Sequence, residues 1–244
     1  MPENIFDAVA PFYDATAAGM FDPTVLDPTV DFLADLADGG AALELGVGTG
    51  RVALPLSRRG VPVHGIEISE AMVAELAAKP GADAIAVTVG DFATTALDRT
   101  FRLAYLVYNT ITNLITQDEQ VECFRNVARH LEPGGRFVIE VGIPQLRRLL
   151  PGETHRVFAA TPTHLGVDEF DVVRQIEISH HYYVIDGRLE QFSSTHRYVW
   201  PAELDLMARI AGLLLRERWA DWHRTPFTAE SRGHVSVWEK SAAG

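Results

Sequence analysis

Short apolar runs alternate with amphipathic segments along about the first 140 residues of the chain. The apolar runs are AALEL, VPVHGIEIS, AIAVTVGD, LAYLVYNT and RFVIEV. Before the last run, TQDEQVECFRNVARHLEPGG has apolar residues at helical spacing behind a capping box of Thr116 and Glu119. Strands that alternate with helices predict an α/β fold with a parallel sheet covered on both faces, in which ligands bind at the carboxyl ends of the strands.

Local capping signals predict two further helices. In LDPTVDFLADLADGG, Asp27 is expected to cap a helix that begins at Pro28 and ends before Gly39. In SEAMVAELAAKPG, Ser69 is the expected cap and Glu70 the acid of the first turn. The tetrapeptide DPTV occurs at positions 22 and 27, which is too short a unit to indicate a structural repeat.

From about residue 168 the pattern changes to long strands with little helix. EFDVVRQIEISHHYYVI and RLEQFSSTHRYVW flank Asp186 and Gly187, a pair typical of a two-residue hairpin turn. Pairing Ile185 with Arg188 gives the hairpin two different faces. The apolar face holds Ile176, Ile178, His180, Tyr182, Val184 and Leu189. The aromatic and ionisable face holds Glu177, His181, Tyr183, Phe192, His196 and Tyr198. The apolar face is expected to cover either the main domain or a second subunit. In the second case the protein would be a homodimer.

These patterns divide the chain into three parts. Residues 1–40 are predicted to form an N-terminal helical lid and a lead-in helix, and residues 151–196 an inserted antiparallel region for substrate or dimer contact. The cofactor-binding domain is predicted to consist of residues 41–150 and 197–244. Its second segment supplies the closing strands and a last helix, PAELDLMARIAG.

Composition and charge exclude several classes of protein. The net charge of −12 disfavours nucleic acid as a partner, because such binding relies on Lys and Arg displacing counterions. The start of the chain lacks a signal-peptide pattern, and no segment approaches the ~20 apolar residues that a membrane span needs, so a soluble cytoplasmic protein is expected. Cys123 is the single cysteine, and the histidines form no ligand pattern, so no metal site is expected.

The stretch LELGVGTGR carries Gly46, Gly48 and Gly50 directly after the first predicted strand. A glycine-rich turn from strand to helix lets a ligand lie against the backbone. A dinucleotide fingerprint needs its third glycine where Arg51 stands, and no Gly-Lys-Ser/Thr of a phosphate loop follows. Glu44, just before the loop, would repel a pyrophosphate but suits a ligand with an ammonium or a sulfonium. The loop therefore predicts a cofactor that carries positive charge.

Two more acids end the next strands. Glu67 in HGIEIS stands about where α/β nucleotide folds place an acid on ribose hydroxyls. Asp91 in VGDF ends the third strand, with Phe92 after it. Each acid alone also suits a strand end or a helix cap, but three acids and a glycine loop on consecutive strand tips favour one binding site.

Together, LELGVGTGR, GIEIS, GDF and LEPGGRFVIEV resemble the class I S-adenosylmethionine-dependent methyltransferases over roughly residues 40 to 142. The resemblance implies a Rossmann-like, doubly wound, mostly parallel seven-stranded sheet, here with an antiparallel hairpin inserted between the fifth strand and the last helix, and S-adenosylmethionine as cofactor. It implies that the three loop glycines pack beside the methionine moiety and that Glu67 binds the ribose. Asp91 and Phe92 would frame the adenine, and Glu44 would orient the loop or reach the methionine amine through water. The other expected cofactor contacts are Tyr13, Arg51, Ile68, Tyr108 and Asn109.

A looser resemblance concerns APFYDATA and the inserted sheet, which are similar to features of the aminosugar N-methyltransferases of antibiotic pathways. In that group a histidine near the end of the fourth strand acts as base or orienter for the substrate amine. Asn113 stands at the aligned place here. An amide cannot take a proton at neutral pH, so that mechanism is not transferred to this chain.

The sequence thus predicts transfer of a methyl group to N or O of a small molecule by in-line displacement, in secondary metabolism. Residues expected to line the acceptor side are Tyr13, Asn109, Asn113, Glu140 and Arg232. No catalytic residue is assigned; Asn113, His180 and His181 are the candidates, with His180 better explained as a hydrogen-bonded core histidine. The open alternatives are aminopropyl transfer, carboxy-S-adenosylmethionine synthesis, and a protein that binds S-adenosylmethionine or S-adenosylhomocysteine without catalysis.

Overall fold

The computed structural model describes residues 5–185 and 187–241. The helices are α1 (Ile5–Thr16), α2 (Pro23–Ala37), α3 (Ala53–Arg58), α4 (Glu70–Ala77), α5 (Gln117–His130) and α6 (Pro201–Ile210). The strands are β1 (Ala42–Leu45), β2 (Val63–Glu67), β3 (Ala86–Val89), β4 (Phe101–Leu106), β5 (Leu131–Gly142), β6 (His155–Ala160), β7 (His164–Asp171), β8 (Ile176–Ile185), β9 (Arg188–Arg197), β10 (Leu213–Trp219) and β11 (Gly233–Lys240). Short 3-10 turns lie at Ala18–Phe21, Ala82–Ala84, Thr110–Asn113 and Gln145–Arg148.

Seven strands form the main sheet in the order β10-β11-β5-β4-β1-β2-β3. β1 to β5 pair in parallel, and β11 joins β5 and β10 in antiparallel pairing. The predicted Rossmann-like, mostly parallel seven-stranded fold is therefore confirmed. The strand order reverses at β1, between β2 and β4, and in such sheets a crevice opens at the carboxyl ends of these strands.

Apolar cores on both faces hold the helices against the sheet. On one face Phe124 of α5 meets the rings of Phe137 and Trp238 at centroid distances of 5.1 and 5.6 Å. On the other face Phe32 and Leu33 of α2 are buried. Helices therefore cover both faces of the main sheet, which agrees with the continuous apolar runs of its parallel strands.

The predicted caps are confirmed for two helices. The Ser69 hydroxyl accepts from Met72 N at 3.1 Å ahead of α4. At the start of α5, the Thr116 side chain accepts from Glu119 N at 3.2 Å and the Glu119 carboxylate accepts from Thr116 N at 2.9 Å. These reciprocal bonds satisfy backbone donors that a helix start leaves unpaired.

The predicted start of α2 is wrong by five residues. Asp22 caps the helix by accepting from Thr24 N at 2.8 Å, and Pro23 is the first helical residue. The expected cap and start, Asp27 and Pro28, lie inside the helix. Because both copies of DPTV offer the same Asp-Pro signal, the earlier copy starts the helix and the later one is accommodated within it.

The insert is an antiparallel sheet in the order β6-β7-β8-β9, separate from the main sheet. Its hairpin has the predicted pairing of Ile185 with Arg188, while Asp186 itself lies outside the described residues. The expected single long strand before the turn is wrong, since β7 ends at Asp171 and β8 begins after a turn. There the Asp171 carboxylate accepts from the backbone N of Val173 and Arg174, both at 3.0 Å. An aspartate bonded to backbone N–H groups ahead in this way stabilises a turn within an otherwise apolar segment.

A buried arginine joins the insert to the main domain. Arg197, at the end of β9, donates to Gln120 of α5 and, at 2.7 Å, to Glu203 of α6. Gln175, just before β8, also donates to Glu203, at 2.8 Å. These bonds fix the base of the insert on the helices beside β4 and β5.

Membrane-spanning helices and clusters of metal ligands are both absent from the part of the chain that the structure describes. Over 5–185 and 187–241, no helix combines the length and apolar character that membrane crossing requires. Within the same ranges, no three His, Cys, Asp or Glu side chains are grouped so as to hold a metal ion.

Candidate active site

The glycine loop between β1 and α3 has left-handed backbone at all three of its glycines. Gly50 has φ +81°, and a Cβ there would lie 2.3 Å from Leu76 Cδ1, so the loop packs closely on α4. At Gly48, with φ +53°, a Cβ would meet nothing within 4 Å. One glycine thus allows close packing inside the protein, and the other leaves space in front of the backbone for a ligand.

A cleft opens in front of this loop, and we call it the glycine cleft. Its walls come from α1, β1, the loop and the segment after β4. It is lined by Tyr13, Glu44, Gly46, Val47, Gly48, Thr49, Arg51, Val52, Val107, Tyr108 and Thr110. The structure therefore brings together the predicted residues Tyr13, Glu44, Arg51 and Tyr108 with the glycine loop.

Glu67 joins the end of β2 to the glycine loop. It is 5% exposed, and its Oε2 accepts from Gly48 N at 2.8 Å while Oε1 accepts from Ser69 N at 3.0 Å. Hydrogen bonds to an ionised carboxylate are stronger than neutral ones, so this side chain holds the loop in shape. Its predicted contact with a ribose stays a prediction.

Glu44 is buried at the inner end of the cleft. It is 3% exposed, and the Tyr105 hydroxyl donates to its Oε2 at 2.9 Å. Burial raises the pKa of Glu44 to about 8, although the bond from Tyr105 and the charge of Arg51 act in the opposite direction. A positively charged ligand group in this cleft would favour the ionised form. Tyr105 was missed from the sequence, where its hydroxyl inside the apolar run LAYLVYNT was the available signal.

The residues predicted around adenine lie beyond Glu67, and they differ in exposure. Ile68 is 52% exposed, which suits an apolar contact at the rim. Asp91 is exposed, and its Oδ1 accepts from Ala93 N at 2.8 Å. The Phe92 ring is 8% exposed and belongs to the main core cluster, because a large aromatic ring after a strand end is buried where the core lies beneath it. Its predicted contact with the adenine stays a prediction.

Helix α1 covers the glycine loop through hydrogen bonds and an ion pair. Thr49 donates to Asp14 Oδ1 at 2.6 Å, and Lys79 pairs with Asp14 while donating to Thr49 O at 2.8 Å. Farther along, the Ser69 hydroxyl donates to Asp7 Oδ1 at 2.5 Å. This arrangement keeps Tyr13 at the cleft, where burial raises the pKa of its phenol.

The segment after β4 is held in an uncommon conformation. Tyr108 and Asn109 have φ values of +56° and +61°, which non-glycine residues seldom adopt. Glu140 of β5 accepts from Tyr108 N at 2.9 Å, and Asn109 Oδ1 accepts from Gly142 N at 2.7 Å. Such strain persists only where neighbouring groups fix it, and it is common at functional sites. Glu140 therefore positions this segment.

The remaining acceptor-side candidates lie near the same edge. Asn113 is half-buried at the end of the 3-10 turn that follows Asn109. The exposed Arg232 precedes β11, and its carbonyl accepts from Ile143 N at 2.8 Å, beside the end of β5.

The two candidate histidines of the insert lie on opposite faces. His180 is hydrogen-bonded to Ser193 at 2.8 Å and to Glu169 at 3.2 Å on the apolar, outer face. These bonds agree with its alternative explanation as a hydrogen-bonded histidine, and its candidacy as a base stays a prediction. His181 is on the inner face, but its ring stacks between His164 and Phe192 at centroid distances of 5.3 and 4.4 Å. Its Nδ1 lies 3.1 Å from His164 Nε2, so that nitrogen is already engaged.

The inner face near the base of the insert carries a polar cluster. Asp168 accepts from Arg156 at 2.9 Å and from Ser179 at 2.8 Å. Burial and the neighbouring Asp168 raise the pKa of Glu177 to about 7. His196 pairs across the strands with Glu177 and lies 3.5 Å from Thr112 in the turn after β4. The inner face is thus the one directed at the carboxyl edge of the main sheet.

Comparison with known proteins decides the family. A family model described as "Methyltransferase domain" matches residues 42–135. The solved structure of the CcbJ methyltransferase from Streptomyces caelestis has 40% sequence identity and a TM-score of 0.80, covering 88% of this chain and 89% of that one. The chain belongs to the class I S-adenosylmethionine-dependent methyltransferases.

Other relatives of this methyltransferase agree. The cypemycin N-terminal methyltransferase of a Streptomyces species is 28% identical over 242 residues, which cover 93% of this chain and 97% of the relative. The S-adenosylmethionine-bound structure of CalS10, an amino pentose methyltransferase from Micromonospora echinaspora, has 20% identity and a TM-score of 0.69, covering 94% and 96% of the two chains, and it supports the fold.

The cofactor of this methyltransferase is S-adenosylmethionine, and the cleft residues fit it. The space in front of Gly48 admits a ligand against the backbone, and the buried acid Glu44 suits its positive charge. The Arg51 guanidinium lies 5.3 Å from the Tyr108 ring centroid, a cation–π contact at the cleft wall.

Proposed function

We propose that this enzyme transfers the methyl group of S-adenosylmethionine to a nitrogen atom of an amine-bearing small molecule during the assembly of a natural product. The observation that carries the proposal is the side-chain chemistry at the end of β4. Asn109 and Asn113 both carry amide side chains there. Asn113 stands where the aminosugar N-methyltransferases have a histidine, and the turn Thr110–Asn113 contains no side chain that could act as a general base. A neutral amine needs only orientation toward the methyl group, whereas a hydroxyl more often needs a base.

The names of the relatives support nitrogen as the acceptor atom. The cypemycin relative, which covers 93% of this chain, is named an N-terminal methyltransferase, and the CalS10 structure is titled an amino pentose methyltransferase. The first name refers to an N-terminus and the second to an amino sugar.

S-adenosylmethionine supplies an electrophilic methyl group on a sulfonium, and the chain's own groups are proposed to hold it. Gly46 and Gly48 would pack beside its methionine moiety, with Glu44 toward the amine, while Gly50 lets the loop pack on α4. Glu67 would accept from the ribose hydroxyls. Its two carboxylate oxygens, which already accept from Gly48 N and Ser69 N, would then each accept a further hydrogen bond. Ile68 and Asp91 would contact the adenine, and Tyr13 would cover the methyl end from α1.

The three-part division of the chain is proposed on the same basis. Residues 1–40 would cover the cofactor, and residues 151–196 would provide the acceptor side. The outer face of the insert keeps exposed apolar side chains, namely Val157, Leu165, Val184 and Leu189. The described part of the main domain does not cover them, so a second subunit remains the proposed cover.

A screen of matched acceptors tests the proposed function. The wild-type enzyme is incubated with S-adenosylmethionine and with pairs of amines and alcohols that share a carbon skeleton, among them amino sugars and short peptides. We expect a mass gain of one methylene on amines, located on nitrogen by fragmentation. Reactions without S-adenosylmethionine are the control. Methylation of the alcohols in preference to their amine partners would contradict nitrogen as the acceptor atom.

A further inference from the structure

His196 is the side chain through which the inner face of the insert contacts the turn after β4. Its Nδ1 lies 3.5 Å from Thr112 Oγ1, and Thr112 belongs to the 3-10 turn directly after Asn109. The imidazole is half-buried between the insert and the main domain. Through Thr112 it contacts the same turn that carries the acceptor-side candidates Asn109 and Asn113.

The hydrogen bonds around Thr112 favour one tautomer of His196. The Thr112 hydroxyl has one hydrogen, and Asn109 O at 2.8 Å is a nearer acceptor for it than His196 Nδ1 at 3.5 Å. With that hydrogen on Asn109 O, Thr112 accepts from the imidazole, and Nδ1 is the nitrogen that carries the proton. The other ring nitrogen, Nε2, then has a free electron pair, and the Ser194 hydroxyl at 3.0 Å is its donor in the free protein.

Several groups around the ring determine its charge. Burial lowers the pKa of His196, and the neighbouring His181 acts in the same direction, while Asp168 acts in the opposite one. Glu177 faces it across the strands, with its own pKa raised to about 7. The neutral imidazole is thus favoured at neutral pH, with Nε2 as an acceptor.

The two other histidine candidates are less suitable as a group that contacts the acceptor. His180 is on the outer face, and His181 is enclosed in the ring stack. His196 lies on the inner face and contacts the turn after β4. Its Nε2 is bonded to the Ser194 hydroxyl, which a ligand N–H could replace.

We propose that Nε2 of His196 accepts a hydrogen bond from the N–H of the acceptor amine and thereby directs the nitrogen lone pair at the methyl group. The inference rests on the proposed function and narrows it to primary and secondary amines. The nitrogen forms a bond to the methyl carbon while the carbon–sulfur bond breaks, its electron pair remaining on sulfur. The positive charge passes from sulfur to the product nitrogen, so the step itself requires no proton transfer. His196 orients the nucleophile throughout.

Two substitutions separate a hydrogen-bond acceptor from a packing group. His196→Leu removes the acceptor, and His196→Gln restores one through its amide oxygen. With the fastest amine of the screen, the leucine variant should lose about tenfold or more in kcat/KM, which is the range of one lost hydrogen bond to a polar partner. The glutamine variant should recover most of that loss. Both variants should bind S-adenosylhomocysteine as the wild type does.

The matched control is His155→Leu, a histidine on the outer face of β6, which should leave kcat/KM unchanged. Full activity of the leucine variant, or equal loss in the glutamine variant, would overturn the inference while the proposed function stands.

Long-range proton–nitrogen NMR of the free enzyme should find His196 protonated at Nδ1. Protonation at Nε2 would overturn the inference whatever the acceptor is. Absence of any methylated amine with the wild type would instead contradict the proposed function.

Discussion

Replacing Glu67 with alanine is expected to weaken the binding of S-adenosylhomocysteine by at least about thirtyfold. The carboxylate accepts from Gly48 N and Ser69 N, and hydrogen bonds to charged groups contribute about 1.5–3 kcal/mol each. Its loss leaves buried backbone donors unpaired and frees the loop against which the cofactor lies. It also removes the proposed partner of the ribose. Isothermal titration calorimetry measures the change directly.

Glu70→Ala is the matched control for this variant. Glu70 is the next acid along the chain, but it is exposed at the first turn of α4. The Glu70→Ala variant should bind S-adenosylhomocysteine with wild-type affinity. This result would separate the effect of losing any negative charge from the effect of losing the buried carboxylate of Glu67. Wild-type affinity in the Glu67 variant would mean that this acid does not organise the cleft.

Replacing Glu44 with glutamine is expected to make the cofactor-free enzyme more stable at pH 8 but not at pH 4.5. Burial raises the pKa of Glu44 from its ordinary 4.5 to about 8. The neutral acid contributes stability that is fully present below pH 4.5 and is lost as the pH rises toward 8, because the unfolded chain ionises first. Glutamine cannot ionise and keeps an acceptor for Tyr105. At about 1.4 kcal/mol for each pKa unit, the difference reaches on the order of 4 kcal/mol at pH 8.

Urea unfolding of both proteins at several pH values measures this difference. Glu70→Gln, at an exposed position, is the control and should show no such dependence. A stability difference between the Glu44 variant and the wild type that stays constant from pH 4.5 to pH 8 would contradict a buried neutral acid. The expected result would also indicate that the enzyme retains a carboxyl group in the cleft at the cost of stability.

The sequence predicted the main sheet because the apolar runs of parallel strands are continuous and separated by capped helices. It also predicted the hairpin register, because the Asp-Gly pair restricts which residues can face each other. It failed at the start of α2, where two identical Asp-Pro signals compete, and at the turn after Asp171, where the flanking Val172 and Val173 resemble strand residues. In both places the choice depends on local hydrogen bonds that periodicity does not report.

The site was predictable to the extent that it follows from topology. Acids at the ends of β1 and β2 meet because parallel strands end at the same edge. The contact of Thr49 with Asp14 joins residues 35 positions apart, and that of Thr112 with His196 joins residues 84 apart. Such contacts depend on how α1 and the insert dock on the main domain, which the sequence pattern does not determine.

The glycine cleft holds a cofactor without phosphate, and a comparative titration is the sharpest test of this statement. Glu44 places a carboxyl group just before the loop that would hold the pyrophosphate of a dinucleotide, and Arg51 stands where the third glycine of a dinucleotide fingerprint is needed. Calorimetric titration of the wild-type enzyme should find one-to-one binding of S-adenosylhomocysteine and no binding of NAD⁺ at the same concentrations. Binding of NAD⁺ without binding of S-adenosylhomocysteine would contradict the claim.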